Sequence, residues 1–217
     1  MNQRIQNFLL VVAVACAVTT TGLAVRKSLQ PPQGAQRPPV AVDGVDSIIA
    51  GSAHISGPRD ADVSIVEFFD LQCPACRMLS FALDTAVKAV NLRVRIARRH
   101  FPLPSIHPKA LDLALAGLCL TTTAEFDEYY HRAFELQGLL GSEGAAGIML
   151  ILPATADSAA VKVCMSRPAT WDRLQRDVSL GDALRISATP SFIVGGRLYT
   201  GARDATELAR LIREAAH

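Results

Sequence analysis

Val63-Ser64-Ile65-Val66-Glu67-Phe68-Phe69-Asp70-Leu71-Gln72-Cys73-Pro74-Ala75-Cys76 decides the fold of this 217-residue chain. Its first seven residues are rich in β-branched and aromatic side chains, and the run has the length of a strand. Asp70-Leu71-Gln72 is a short connection. Pro74 stands where a helix starts, because its missing N–H costs nothing in the first turn. The helical pattern continues through Met78, Leu79, Ala82, Leu83, Ala86, Val87 and Val90. A strand, a tight connection and a helix N-terminus therefore frame two thiols three positions apart.

That frame carries chemistry. Cys73 falls at or just before the helix start, among unpaired backbone N–H groups and at the positive end of the macrodipole. Both favour thiolate over thiol, so a depressed pKa is expected. The thiolate is the attacking species in disulfide exchange. Cys76, inside the first turn and less exposed, suits a resolving thiol. The other use of C-x-x-C is half of a zinc site, which normally has four ligands. No second C-x-x-C exists, Cys119 and Cys164 are isolated, and His100 and His107 are not at finger spacing. The spacing points to redox chemistry, with no metal and no other cofactor.

Outward from the motif, residues 92–98 read as a second strand, in which Leu92, Val94 and Ile96 alternate with Arg93 and Arg95. The basic stretch 93–99 is read as the solvated face of that strand. Phe101-Pro102-Leu103-Pro104 breaks the chain. Helical patterns follow from Pro108 and over 125–136, 143–150, 159–166 and 170–185. After Pro190 come two short strands and a last helix over 205–215. A short strand is also expected near His54. His100, His107 and His131 form no constellation and are expected as surface or capping residues. Trp171 is expected in the core, and Asp112 and Glu125 as solvated helix charges.

The segment around Cys73 resembles the active site of DsbA-like thiol:disulfide oxidoreductases, a thioredoxin-fold family. Glu67 stands six residues before Cys73, where that family places a buried carboxylate. Ser187-Ala188-Thr189-Pro190-Ser191-Phe192-Ile193-Val194 resembles its Thr-cis-Pro loop running into a strand, and Gly195-Gly196 with Arg197-Leu198-Tyr199 resembles its closing hairpin. The motif dipeptide is Pro-Ala, where the best-known strong oxidant has Pro-His. The resemblance covers about residues 51–217. It implies an α/β thioredoxin fold with a helical insertion, at about 105–186, between the two halves.

The resemblance also implies roles. Cys73 attacks and Cys76 resolves. Pro190 has a cis bond that exposes the backbone of Thr189 for pairing with an extended substrate chain, with an ordinary trans turn before a strand as the other reading. Glu67, mid-strand between apolar neighbours, is a buried proton carrier for the resolving thiol, with a strand-edge side chain as the other reading. Relatives often carry cysteines at the places of Cys119 and Cys164, which implies a structural disulfide; two buried free thiols are the alternative.

Half of the chain is hydrophobic and the net charge is +2, so strong polyanion binding is not implied. No aromatic residues interleave the arginines, which argues against nucleic acid. Phe8 to Val25 is uncharged over 18 residues and follows Arg4. As a helix it would measure ~27 Å, close to the hydrocarbon thickness of a bilayer. Residues 1–27 are read as a signal anchor or a cleaved signal peptide. Residues 28–50, with four prolines between Leu29 and Val40, read as an extended linker to a domain at 51–217.

The function expected is an exported thiol:disulfide oxidoreductase that exchanges its Cys73–Cys76 disulfide with client proteins, most simply as an oxidant. Its implied partners are reduced or misoxidised clients and a membrane quinone-linked reoxidant. It is expected as a monomer in the cell envelope, on the periplasmic or extracytoplasmic face. Alternatives are a reductase or isomerase of the same fold, or a metal-binding, copper-delivery protein using both cysteines as soft ligands.

Overall fold

The computed structural model describes residues 38–140 and 145–216. The membrane or signal segment expected at 1–27, and the first part of the linker, lie outside the described residues. Among the described residues no helix is long and apolar enough to cross a membrane.

Among the described residues the sheet has six strands: β1 Val40–Ala41, β2 His54–Ser56, β3 Val63–Phe69, β4 Val94–His100, β5 Ser191–Val194 and β6 Arg197–Thr200. Their order is β1-β6-β5-β3-β4-β2. Only β3 and β4 pair in parallel; the other neighbours are antiparallel. The parallel pair needs a crossover, supplied by helix α2 (Pro74–Ala89). The strand before the motif and the helix after it have the bounds expected of them.

Strand β3 is buried on both faces because both are covered. On one face Val63 and Ile65 pack with Leu79 and Leu83 of α2 and with Leu208, Leu211 and Ile212 of the last helix, α9 (Ala205–Ala215). On the other, Val66 and Phe68 pack with Ala97, Ile193 and residues Ile48 and Ile49 of α1 (Val45–Ala50). Phe69, at the end of β3, joins a third cluster with both motif cysteines and the helical insertion.

The insertion comprises α3 (Ala110–Leu118), α4 (Thr123–Glu135), the short α5 (Gln137–Leu140), α6 (Ala145–Ile151), α7 (Ser158–Met165) and α8 (Pro168–Ala183). Thr122 and Glu125 start α4 with a reciprocal capping box. Cys119 and Cys164 are joined by a disulfide across 45 positions. That bond ties the end of α3 to the end of α7. Closing such a loop restricts the unfolded chain by about 4 kcal/mol on the chain-entropy estimate. The double change Cys119→Ser with Cys164→Ser is therefore expected to lower the urea midpoint, with a steeper slope because the released unfolded chain exposes more surface. An unchanged midpoint would remove this role.

Several expectations need correction. Residues 38–50 are not linker: β1 pairs with β6, and α1 buries Ile48 and Ile49 under the sheet. The basic stretch is not a solvated face throughout. Arg93 is exposed and binds Asp60 and Asp62, whereas Arg98 and Arg99 are buried. Arg99 pairs with Asp177 of α8 at 2.7 Å, whose second oxygen accepts the His100 N–H at 3.0 Å. His100 is buried, not a surface residue, and sits among Phe69, Phe126 and His54. Trp171 is exposed rather than in the core, because α8 turns Thr170, Leu174, Asp177 and Gly181 inward. Position 171 falls just off that stripe.

Candidate functional site

Cys73 is the N-cap of α2, and Pro74 occupies the first turn. Among the described residues no side chain caps this helix start, and the N–H groups of Ala75 and Cys76 are turned to the sulfur. Cys73 keeps 6% of its surface and Cys76 none, so only Cys73 is open to a partner. Both are free thiols in the structure.

The thiols have opposed acidities. Hydrogen bonding from the Cys76 thiol, helped by Thr189 and the N–H groups of Cys76 and Ala75, lowers Cys73 from an ordinary 9.0 to about 6, against its own burial. Burial first, and the neighbouring Cys73 second, push Cys76 well above 9.0. The Asp70 N–H donates to Cys76 Sγ at 3.4 Å.

The Thr189–Pro190 bond is cis. It sets Thr189 against the motif, where the Cys73 thiol donates to the Thr189 carbonyl at 3.3 Å. The Thr189 hydroxyl is buried without a hydrogen-bond partner among the described residues. It lies near enough to Cys73 to favour the thiolate.

Glu67 is completely buried, as its apolar neighbours implied. Burial raises its pKa; Arg98 and the Tyr130 hydroxyl oppose the rise without cancelling it. Tyr130 donates to the Glu67 carboxyl at 2.8 Å, and Arg98 Nε lies 3.4 Å from Oε2. The parallel register of β3 and β4 places Glu67 directly beside Arg98. Arg98 then reaches Ser56 and Asp127 at 3.1 and 3.0 Å, towards solvent. Glu67 lies near enough to Cys76 to raise its pKa through space.

The structure thus brings together Cys73, Cys76, Glu67, Thr189 and Pro190, while Cys119 and Cys164 stand apart in the insertion. It adds contacts that the sequence reading did not foresee, one of them at His107, which was expected as a surface or capping residue. Gln137 Nε2 donates to the carbonyls of Leu71 and Cys73 at 2.9 and 3.1 Å, and Arg77 Nε to that of Phe134 at 2.8 Å. Asp70 and His107 meet beside the motif at 2.7 Å. No spacing signal pointed to these contacts, which join segments far apart in the chain. Among the described residues no group of His, Cys, Asp and Glu is arranged to hold a metal ion.

Comparison with known proteins gives a matching family model, described as Thioredoxin, over residues 50–214. A thioredoxin-like oxidoreductase from Silicibacter pomeroyi DSS-3 superposes with a TM-score of 0.65 at 24% identity, covering 78% of this chain and 96% of that one. The thiol-disulfide exchange protein alpha-DsbA2 from Wolbachia pipientis gives 0.62 at 19%, covering 74% and 86%. At these identities the likeness speaks for the fold. Na(+)/H(+) antiporter NhaA 1 of Mycolicibacterium gilvum (strain PYR-GCK) is 27% identical over 184 residues, 85% of this chain and 29% of the antiporter. The chain spans less than a third of the length of the curated relatives it matches.

Proposed function

The chain belongs to the thioredoxin family and has the fold of its DsbA-like members, and from that premise we propose that it is a protein thiol:disulfide oxidoreductase acting outside the cytoplasm, most simply as an oxidant. The observation that carries this reading is the split acidity of a pair of which only Cys73 is open: Cys73 at about 6 and Cys76 well above 9.0. A sulfur that is stable as thiolate favours the reduced pair and so makes the disulfide oxidising.

The steps balance as follows. A client thiolate attacks Cys73 of the Cys73–Cys76 disulfide, and Cys76 leaves and takes a proton. A second client thiolate attacks the client sulfur of the mixed disulfide and expels Cys73 as thiolate. The client gains a disulfide, and the pair becomes a dithiol. In reverse, Cys76 must lose its proton to attack the mixed disulfide. Glu67, buried with a raised pKa, is the proton carrier for that thiol. Thr189 presents its backbone to the client chain. A membrane quinone-linked protein reoxidises the dithiol, and the N-terminal apolar segment exports or tethers the domain.

The test is transfer from the oxidised full-length chain to a reduced, unfolded client, followed by acid quenching and thiol labelling. Client thiols should disappear in step with the appearance of Cys73 and Cys76 thiols. No transfer over hours, or metal bound stoichiometrically by the pair, would overturn the reading. Glu67→Gln is expected to slow release of the client from the mixed disulfide by Cys76, the reverse step, by roughly 10²-fold, the range of a lost acid–base group. Arg98 keeps Asp127 as a partner in that variant. Equal release rates would dismiss the role of Glu67.

A further inference from the structure

We propose that His107 is a positioning residue for the Cys73–Cys76 pair and acts through the Asp70 carboxylate. The proposal rests on the redox reading of that pair and adds a residue to it. His107 lies 31 positions beyond Cys76 (107 − 76), between β4 and α3. Its Nδ1 meets Asp70 Oδ2 at 2.7 Å. The Asp70 side chain is fully buried, and its oxygens also accept the N–H groups of Gln72 and Leu103, both at 2.8 Å. Because Oδ2 already serves as an acceptor, Nδ1 is assigned as the donor.

The main chain of Asp70 touches both motif residues. Its N–H donates to Cys76 Sγ at 3.4 Å, and its carbonyl accepts the Cys73 N–H at 3.0 Å. The Gln72 side chain accepts the Lys109 N–H. Segment 103–109 is therefore strapped to residues 70–72 at three points. Two of those straps are made by backbone N–H groups of the segment, and His107 alone contributes a side chain. A buried carboxylate stays where its donors hold it. Without the imidazole, Asp70 turns to another donor, and the connection carrying both sulfurs moves with it.

The test compares full-length wild type with His107→Leu, His107→Asn and His107→Gln. The amide N–H of Asn falls near the place of Nδ1, whereas that of Gln reaches further, towards Nε2. The readouts are the iodoacetamide rate at Cys73 at pH 7 and the equilibrium constant with a glutathione buffer. His107→Leu is expected to slow alkylation and to shift the equilibrium, each by roughly tenfold, as small misplacements of reacting groups do. His107→Asn should restore most of both, and His107→Gln should not. A folded Leu variant with wild-type values overturns the proposal. If that variant does not fold, equal values for Asn, Gln and wild type overturn it instead. Client transfer by the wild type is measured alongside. Its absence dismisses the redox reading, while the alkylation comparison still reports on His107.

Discussion

Cys73→Ser is expected to reduce disulfide exchange to the uncatalysed background, whereas reduced Cys76→Ser, offered a client that already holds a disulfide, is expected to attack it through Cys73, release one client thiolate and stop at a stable mixed disulfide between Cys73 and the client. The first variant loses the sulfur that is both open and ionised. The second keeps it and loses only the thiol that resolves. Non-reducing gels read the difference directly. Transfer by Cys73→Ser at the wild-type rate would end the assignment.

The magnitudes say where the lowered pKa of Cys73 matters. At pH 7 about 90% of Cys73 is thiolate, against about 1% for a thiol at 9.0. Yet a thiolate about three units less basic is intrinsically slower by roughly 20-fold. Attack gains only about fivefold, so the larger effect is on the equilibrium. The sign follows from linkage. A folded pKa below the unfolded value stabilises the reduced form fully above about pH 9, and this is lost as pH falls through about 6. The disulfide form has no such group. Urea unfolding of both forms at pH 5 and pH 8 checks it: the reduced form should gain on the oxidised one at the higher pH. An equal gap at both would show that Cys73 titrates normally.

The disulfide form is expected to lose stability steeply below pH 6.5, because two histidines fold in neutral. His54 stacks on Phe126 at 3.7 Å and meets His100 edge-on. Burial lowers His54 from 6.5 to about 3 and His100 well below 6.5. For a base with a depressed pKa, the unfolded chain binds the proton first. Stability is whole above 6.5 and falls as pH drops, at up to about 2.7 kcal/mol per pH unit for two sites. Glu67 and Asp177, whose pKa values are raised by burial, act in the opposite sense and temper the slope. Two pH units still remove a good part of the ~5–15 kcal/mol that a domain has. His54→Phe keeps a ring against Phe126 and removes one titrating group. Its acid transition, followed by circular dichroism, should lie lower and be shallower. A curve that superposes on the wild type would dismiss the account.

Local signals carried most of the fold. Strand β3, helix α2 and helix α9 each announce themselves within their own residues. The last of these does so through Leu208, Leu211 and Ile212 and through the cap at Asp204. What escaped depends on partners distant in sequence. Val40–Ala41 follows a proline-rich stretch and becomes a strand only because β6 offers it an edge. Arg98 was recoverable: Val94 and Ile96 point to one face, and period-two alternation carries Arg98 to the same side. A buried arginine there requires a carboxylate, and Glu67 was already suspected. The Asp70–His107 contact had no such signal, since nothing local ties position 70 to 107.

The bond between Cys119 and Cys164 also decides how the molecule fails when cut. Any single hydrolysed peptide link between residues 120 and 163 leaves two fragments that stay covalently attached. In an oxidising compartment such a nicked molecule would keep its parts together, whereas in a reducing one the same cut would set the fragments free of each other.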